Sequence, residues 1–281
     1  MDKILTPDMP MFPFYKESSF LLIAGPCVVE SREIVFETAT VLKNITRKLG
    51  IPLIFKSSYR KANRTRSDSF KGIGDIRALE ILADVRTQLG IPVITDIHES
   101  SEVEMAAEYV DVLQIPAFLC RQTDLIQAAA RTGKPINLKK GQFLSPSSMQ
   151  FGIEKILESG NKNIMLTERG STFGYGDLVV DFRSIPVLKQ WGFPVILDIT
   201  HSLQQPNQPG GVTGGQPGMI KTIARAGIAA GVNGIFMETH PNPSAALSDG
   251  ANMLNLADAE KLLTDLLHIY TLINSLDTIA Q

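Results

Sequence analysis

The chain has 281 residues, of which 44% are hydrophobic and 20% are charged. This composition supplies enough apolar surface for a packed core, which excludes an intrinsically disordered chain. Lys and Arg total 27 against 29 for Asp and Glu, so the net charge is −2 and we expect no nucleic acid binding. Cys27 and Cys120 are the only cysteines. With no signal segment and no apolar run of about 20 residues, we expect a cytoplasmic protein that does not enter the membrane.

Eight short runs rich in Val, Ile and Leu alternate with longer segments of helical periodicity. This alternation is typical of parallel strands that are buried on both faces and covered by helices. The predicted strands span residues 20–25, 52–57, 92–97, 110–116, 135–140, 163–168, 194–200 and 234–239. The predicted helices span residues 32–49, 75–89, 101–107, 123–132, 146–159, 185–191, 218–230 and 256–276.

The junctions between helices and strands repeat along the chain. The sequence LGIP ends a helix and opens a strand at residues 49–52 and 89–92, with variants at 132–135 and 191–194. Gly ends the helix and Pro prevents its continuation. Eight strand and helix pairs without a linker of biased composition predict an α/β fold, a single (β/α)₈ TIM barrel. We expect this barrel over residues 20–281, after a short N-terminal extension over residues 1–19.

Polar residues collect at the carboxyl end of every predicted strand, which is where the active site of such a barrel lies. Each of them alone could be a structural residue held by an internal salt bridge. Charged groups near a barrel axis are costly without a partner or ligand, so together they predict one shared polar site. These residues are Cys27, Lys56, Ser58, Asp96, His98, Gln114, Lys139, Lys140, Glu168, Arg169, His201, Glu238 and His240.

A thiol, an imidazole and two carboxylates form a candidate metal site. Cys27, His201, Glu238 and Asp249 come from the first, seventh and eighth strand regions, which are neighbours when the barrel closes. Mixed sulfur, nitrogen and oxygen donors suit a divalent cation such as Zn²⁺, Fe²⁺ or Mn²⁺. The alternative is that Cys27 is only a small buried hydrophobic residue.

A basic segment follows the second strand. Residues 55–74 contain six Lys and Arg residues among Ser, Asn and Thr side chains, which are groups that bind phosphate. Neither a GxGxxG sequence nor a P-loop is present, so small phosphorylated substrates are favoured over nucleotides. We expect Lys139 and Arg169 to join this segment in binding two anionic groups. The alternative is a solvated charged surface.

Residues 202–217, which follow His201, are rich in Pro and Gly. Long loops of this kind inside a compact domain are often lids over a site. Because this loop starts at a strand end, we favour a lid over a flexible surface loop.

Several stretches of the chain resemble one enzyme family. They are AGPC at 24–27, KANRT at 61–65, ERG and FGY within 168–175, DITHSLQQP at 198–206 and ETHPNP at 238–243. In this order they resemble 3-deoxy-D-manno-octulosonate 8-phosphate synthase, also called 2-dehydro-3-deoxyphosphooctonate aldolase, over about residues 21–267. Related arabino-heptulosonate phosphate synthases share the GPC start but carry a KPRTSP-type segment in place of KANRT. The KANRT segment therefore favours the octulosonate enzymes.

The resemblance implies a transferase that condenses phosphoenolpyruvate with D-arabinose 5-phosphate and water. The products are 3-deoxy-D-manno-octulosonate 8-phosphate, a lipopolysaccharide precursor, and inorganic phosphate. It implies that phosphoenolpyruvate is bound by Lys56, Ser58, Lys61, Gln114, Lys139 and Arg169 and the pentose phosphate by Asn63, Arg64 and Thr65. The residues expected to take part in catalysis are Lys61, Asn63, Lys139 and His201, with Lys61 or His201 stabilising charge or relaying a proton.

The resemblance also implies a divalent metal and a homotetramer. The metal-independent branch of the family has Asn where Cys27 stands, so Cys27, His201, Glu238 and Asp249 match the metal-dependent branch. The metal would polarise the aldehyde oxygen or orient the attacking water, and the sequence leaves both roles open. Three positions depart from the commoner family pattern and leave the details of pentose phosphate binding open. They are Arg60, Arg66 and Lys71.

Other activities remain compatible with the sequence. A heptulosonate-type condensation is one, and a Schiff-base aldolase with Lys139 as the nucleophile is another. A sugar phosphate sensor without catalysis is the third, since a fold does not specify a function.

Overall fold

Eight parallel strands close into a barrel in the computed structural model, which describes residues 19–63, 68–173, 176–205 and 213–279. Each strand pairs with the next in chain order, and the last pairs with the first through Leu21 opposite Gly234. The strands are β1 Leu21–Gly25, β2 Leu53–Lys56, β3 Val93–Asp96, β4 Val112–Ile115, β5 Ile136–Lys139, β6 Ile164–Glu168, β7 Val195–Asp198 and β8 Gly234–His240. The predicted (β/α)₈ TIM barrel is confirmed.

A helix follows each strand and covers the outside of the barrel. The α-helices are α1 Arg32–Leu49, α2 Asp75–Leu89, α3 Val103–Tyr109, α4 Thr123–Arg131, α5 Gln150–Glu158, α6 Ser184–Lys189, α7 Ile220–Ala229 and α8 Ala259–Ile279. Short 3₁₀ helices lie at Ser100–Glu102, Ala117–Leu119, Pro146–Met149, His201–Leu203, Pro217–Met219, Pro243–Ala245, Gly250–Asn252 and Leu256–Asp258. Within the described residues, none of these helices is long and apolar enough to cross a membrane.

The ends of α1 show how the local sequence sets the alternation of helices and strands. The Ser31 hydroxyl accepts a hydrogen bond from the backbone N–H of Ile34 and caps the amino end. Gly50 ends the helix with φ of 70°, a left-handed conformation that glycine adopts without steric cost. Pro52 then directs the chain into β2. The LGIP junctions therefore act as the sequence predicts.

The predicted elements are confirmed, with shifts at their ends. The first seven strands are shorter than predicted, because residues at one or both ends, often a starting proline, lie outside the paired ladder, whereas β8 runs one residue beyond its predicted end. Helices predicted to start at residues 146, 218 and 256 begin instead with a 3₁₀ turn, and α3 runs two residues beyond its predicted end. Tighter turns at helix ends are common and are not visible in hydrophobic periodicity.

Three additional strand pairs lie at the carboxyl end of the barrel. Ser171–Thr172 pairs with Leu178–Val179, and Gln204–Gln205 pairs with Gly214–Gly215, both antiparallel. Leu254–Asn255 pairs in parallel with the last two residues of β8. The predicted lid loop thus contains one short strand pair, and its residues 206–212 lie outside the described residues. The predicted N-terminal extension also lies outside them, apart from residue 19.

Alternate strand residues face two different cores. Side chains inside the barrel form the smaller core, and those between strands and helices form the larger one. The inner core consists of Leu21, Ile23, Ile54, Ile94, Val112, Met165, Ile196 and Phe236. Because side chains alternate along a strand, the second residue after an inner-core residue also faces the barrel axis.

Close strand packing at Gly25 gives a first prediction. A Cβ at this position would overlap the backbone carbonyl oxygen of Lys56 on the neighbouring strand. We expect Gly25→Ala to lower the free energy of unfolding by about 1–3 kcal/mol, the usual cost of overpacking. Gly218→Ala is the control, since its Cβ would meet nothing within 4 Å. Equal thermal midpoints for the two variants would contradict the packing argument.

Candidate active site

Polar side chains lie above the inner core at the carboxyl ends of the strands. Lys56, Asp96, Gln114, Asp198 and Glu238 each stand two residues beyond an inner-core residue, so strand alternation directs them toward the barrel axis. All five are buried. The Phe236 ring forms the floor beneath them, with Lys139 Nζ 3.9 Å and Lys56 Nζ 5.6 Å from its centroid.

Two lysines and two carboxylates form one half of the site. Lys56 Nζ donates hydrogen bonds to Glu238 Oε1 at 3.1 Å and to Ser58 Oγ at 3.1 Å, and it lies 3.5 Å from Asp96 Oδ2. Lys61 Nζ donates to Ser58 Oγ at 3.0 Å and lies 4.0 Å from Glu238 Oε1. The Ser58 hydroxyl in turn donates to Asp96. The chain thus brings β2, β3 and β8 together through charge pairing.

Charge pairing outweighs burial for these groups. Burial alone would raise the pKa of Glu238, but His201 and Lys56 lower that pKa from 4.5 to about 2. Burial would lower the pKa of Lys61, yet Cys27 and Glu238 raise it above its usual range. Burial would likewise raise the pKa of Asp96, and Lys56 and Lys61 hold it well below the usual value. Glu238, Lys61 and Asp96 are therefore ionised at neutral pH.

Amide side chains form a chain of hydrogen bonds across the site from β3 to β6. Gln114 Nε2 donates to Asp96, and Gln114 Oε1 accepts from Asn137 Nδ2 at 2.8 Å. Thr167 Oγ1 donates to Asn137 Oδ1 at 2.7 Å. This chain of hydrogen bonds fixes the Gln114 amide, because both of its ends are already engaged.

The second half of the site is built on Asp198, the last residue of β7. Asp198 Oδ2 lies 2.6 Å from Lys139 Nζ and 2.7 Å from His201 Nδ1. Burial would raise the pKa of Asp198, but His201 and Lys139 hold it well below its usual range. Burial lowers the pKa of Lys139 despite the pull of Asp198 in the opposite direction.

Arg169 lies in the loop after β6 and has one guanidinium nitrogen engaged. Its Nη2 donates to Gln204 Oε1 at 2.8 Å, and Gln204 Nε2 donates to Asp249 Oδ2 at 3.4 Å. Arg169 Nη1 is buried and has no hydrogen-bond partner among the described residues. A buried guanidinium donor without a partner is costly, and an anionic ligand would satisfy it.

Cys27, Glu238 and Asp249 offer ligand atoms that lie within 4.8 Å of one another. His201 Nε2 lies 3.4 Å from Glu238 Oε1, so the imidazole borders the same group. Asp249 has φ of 50°, a left-handed conformation that is uncommon for a residue with a side chain. Burial and Glu238 raise the pKa of the Cys27 thiol, so a cation would have to displace its proton. Three of the four predicted ligands therefore lie around one position, with His201 beside Glu238, and this mix of sulfur, nitrogen and oxygen donors is of the kind that suits a divalent cation.

Comparison with known proteins assigns the chain to a family. A profile of the DAHP synthetase I family matches residues 15–273. A protein of Azoarcus sp. (strain BH72) named 2-dehydro-3-deoxyphosphooctonate aldolase is 53% identical over 256 residues, which cover 90% of this chain and 92% of the relative. The chain belongs to the DAHP synthetase I family.

Two more relatives carry the same name as the Azoarcus protein. The Trichlorobacter lovleyi protein is 55% identical over 243 residues, with 86% of this chain and 89% of the relative covered. The Agrobacterium fabrum protein is 53% identical over 254 residues, with 90% of both chains covered. These similarities confirm the family resemblance drawn from the motifs.

Lys140 lies next to Lys139 in the sequence but outside the shared site. Its ammonium donates to the carbonyl oxygens of Gly141, Leu144 and Gly170 and to Ser171 Oγ, and it lies 3.4 Å from Glu168 Oε1. Strand alternation explains the difference, because consecutive side chains point to opposite faces. Lys140 and Glu168 thus join the loops after β5 and β6.

The two other histidines at strand ends lie beside carboxylates. His98 Nδ1 lies 3.8 Å from Glu102 Oε2 within the loop after β3, and His240 Nε2 lies 3.7 Å from Glu30 Oε2 in the segment after β1. Both nitrogen atoms are buried without a hydrogen-bond partner among the described residues, because these contacts are longer than hydrogen bonds. The structural alternative considered for strand-end residues therefore describes Lys140.

Of the residues expected to hold the pentose phosphate, one lies at the end of a described range and the others lie outside the described residues. Asn63 is exposed, directly before residues 64–67. Arg64, Thr65 and Arg66 lie outside the described residues. Arg60 forms ion pairs with Glu102 and, at 3.2 Å, with Asp75, which attach the start of this segment to the loop after β3 and to α2. Lys71 accepts a backbone hydrogen bond from Lys61 N–H at 2.8 Å.

Sequence reasoning missed three residues that build the site. Asp198 and Asn137 face inward on β7 and β5, and Gln204 joins Arg169 to Asp249. Strand alternation could have found the first two, since Asp198 stands two residues after the inner-core Ile196 and Asn137 two before Lys139. Gln204 carries no local signal, because its role depends on two distant loops.

The Lys140 and Glu168 pair gives a second prediction. Lys140→Met leaves a buried carboxylate without its cation, and we expect a loss of about 3–5 kcal/mol in the free energy of unfolding. Lys140→Met combined with Glu168→Gln should recover part of this loss, because the Gln carbonyl still accepts from Gly170 N–H. Thermal unfolding measures both variants. Unchanged stability in Lys140→Met would contradict a structural role.

Proposed function

We propose that this protein condenses phosphoenolpyruvate with D-arabinose 5-phosphate and water to form 3-deoxy-D-manno-octulosonate 8-phosphate and inorganic phosphate. The observation that carries the proposal is the convergence of Lys56, Lys61, Lys139 and Arg169 on one barrel mouth. All four side chains are largely buried, and they come from β2, β5 and the loops after β2 and β6. The names of the relatives at 53–55% identity support the same reaction.

Phosphoenolpyruvate would occupy the space between the two cationic halves. Arg169 Nη1 supplies a buried donor without a partner among the described residues, and Lys139 Nζ lies above the Phe236 ring. Lys56, Lys61, Ser58 and Gln114 would complete the binding site on the other side. Two substrates with several negative charges repel each other, and these cations would offset that repulsion while fixing their relative orientation.

The pentose phosphate would bind beside the segment that follows β2. Asn63, Arg64 and Thr65 are proposed to hold it, because Asn63 follows Lys61 by two residues on the exposed side of the mouth. The ion pairs of Arg60 would hold the start of this segment in place. The aldehyde end would then face the buried lysines.

Lys61, Asn63, Lys139 and His201 are proposed to act in catalysis. Because its pKa is raised, Lys61 would remain protonated and stabilise developing negative charge rather than act as a base. Asp198 orients His201 so that Nε2 faces Glu238. Asn63 would orient the second substrate, and Lys139 would hold an anionic group of the first.

Cys27, His201, Glu238 and Asp249 are proposed to hold a divalent cation such as Zn²⁺, Fe²⁺ or Mn²⁺. The donor set and the clustering of its atoms support this assignment. A bound cation would supply Lewis acidity at the mouth. Glu238 would bind the cation and also pair with Lys56, which links the two halves of the site.

The remaining proposals concern the cell. The product would serve lipopolysaccharide synthesis, and the protein would act in the cytoplasm as a homotetramer. Size-exclusion chromatography with light scattering measures the subunit number.

A Schiff-base aldolase is the competing enzyme class, with Lys139 as the nucleophile. Borohydride trapping of substrate on Lys139 would support the aldolase. Release of phosphate that requires both substrates would support the condensation.

The reaction itself is the third prediction. Incubation with phosphoenolpyruvate, arabinose 5-phosphate and ¹⁸O water should release inorganic phosphate free of label, because water attacks carbon rather than phosphorus. Arg169→Met should raise KM for phosphoenolpyruvate by about 10- to 100-fold, the value of a charged hydrogen bond. Arg183→Met is the matched control, since that exposed arginine pairs with Asp181. Labelled phosphate, or turnover without the pentose phosphate, would contradict the proposed reaction.

Metal dependence is the fourth prediction. Exhaustive chelation should abolish turnover, and Zn²⁺, Fe²⁺ or Mn²⁺ should restore it in part. Cys27→Ala should weaken metal retention by about 10- to 100-fold as measured by chelator competition, a change of about 1.4–2.8 kcal/mol. Turnover that persists after chelation would reject the metal site, and chelator-resistant turnover in Cys27→Asn alone would show that the cation mainly positions groups.

A further inference from the structure

Asp198 is a buried carboxylate that receives five hydrogen bonds from three residues. Its Oδ1 accepts from Thr200 N at 3.1 Å, Thr200 Oγ1 at 3.0 Å and His201 N at 2.8 Å. Its Oδ2 accepts from Lys139 Nζ at 2.6 Å and is shared with His201 Nδ1 at 2.7 Å. One oxygen atom therefore contacts the proposed substrate-binding lysine and the proposed metal-binding histidine.

We propose that Asp198 is a positioning residue that couples cation binding at His201 to phosphoenolpyruvate binding at Lys139. This inference rests on the proposed function, because it uses the ligands assigned to the two halves of the site. It goes beyond that function by making the two binding events interdependent.

The hydrogen-bond geometry requires a carboxylate at this position. An ionised carboxylate only accepts hydrogen bonds, so His201 Nδ1 must carry a proton, and Nε2 is the ring nitrogen that a cation would take. An asparagine would place its NH₂ group at one of the two oxygen positions. In either orientation that group would face donors, namely Lys139 and His201 Nδ1 or the two backbone N–H groups and the Thr200 hydroxyl. Neither orientation satisfies all the hydrogen bonds.

Sharing of Oδ2 gives the coupling its direction. A cation on His201 Nε2 makes the Nδ1–H group a stronger donor, which draws the negative charge of Oδ2 toward the imidazole. The attraction between Oδ2 and Lys139 weakens accordingly, and Lys139 becomes available to an anionic ligand. Cation and phosphoenolpyruvate should therefore favour each other's binding, and by linkage the effect is the same in both directions.

The fifth prediction tests this coupling in the full chain by binding rather than turnover. Calorimetry measures the Kd of phosphoenolpyruvate in metal-free protein and in protein saturated with Mn²⁺, and a competing chelator measures the Kd of Mn²⁺. We expect Mn²⁺ to lower the Kd of phosphoenolpyruvate at least about fivefold in the unaltered protein. In Asp198→Asn we expect both affinities to fall and the ratio of the two phosphoenolpyruvate Kd values to approach one.

Thr200→Val is the matched control. It removes the hydrogen bond from Thr200 Oγ1 to Oδ1 and the one that Thr200 Oγ1 accepts from Glu238 N, and it leaves the shared Oδ2 intact. Its ratio should therefore stay within about twofold of the unaltered protein even if its metal affinity and its thermal midpoint fall. A Thr200→Val ratio near one would assign the coupling to general rigidity of the loop and overturn the role of Oδ2.

The outcomes separate this inference from the proposed function. An unaltered protein that does not bind phosphoenolpyruvate with or without Mn²⁺ contradicts the proposed function, and the coupling with it. An unaltered protein that binds both ligands independently overturns the coupling alone, and this measurement needs no variant. Asp198→Asn with an unchanged ratio would also overturn it.

Discussion

Charged side chains buried above the apolar inner core are the constraint on which this structure depends. Phe236 and the inner core fill the barrel below, so the ammonium groups of Lys56 and Lys139 lie against an aromatic ring instead of water. Such groups remain charged only when carboxylates lie beside them. Glu238 and Asp198 meet this need from β8 and β7. Strand order thus places the anions where the cations require them.

The pairing is incomplete at Arg169. This residue retains one buried donor without a partner among the described residues, and an anionic substrate would satisfy it. Gln204 connects Arg169 to Asp249, where Cys27, Glu238 and Asp249 bring two carboxylates and a thiol together.

The loops around the mouth are connected to one another as well as to the barrel. Gln204 joins Arg169 to Asp249, and Lys140 joins the loops after β5 and β6. Gly215 lies so close to Asn252 that a Cβ at this position would overlap the asparagine side chain. The base of the predicted lid is consequently packed on the loop that carries Asp249, which connects the two parts of the site physically.

The sequence by itself determined the repeat, the barrel and most of the site, because hydrophobic periodicity, LGIP junctions and strand-end polar residues are local signals. It also predicted Cys27, His201, Glu238 and Asp249 as one group, of which Cys27, Glu238 and Asp249 lie together in the structure with His201 beside Glu238. Only the tertiary structure separated Lys139 from Lys140 and revealed Asp198 and Gln204 as bridges. Those roles depend on which atoms of distant strands and loops come within hydrogen-bond distance, and the spacing of residues along a chain does not contain that information.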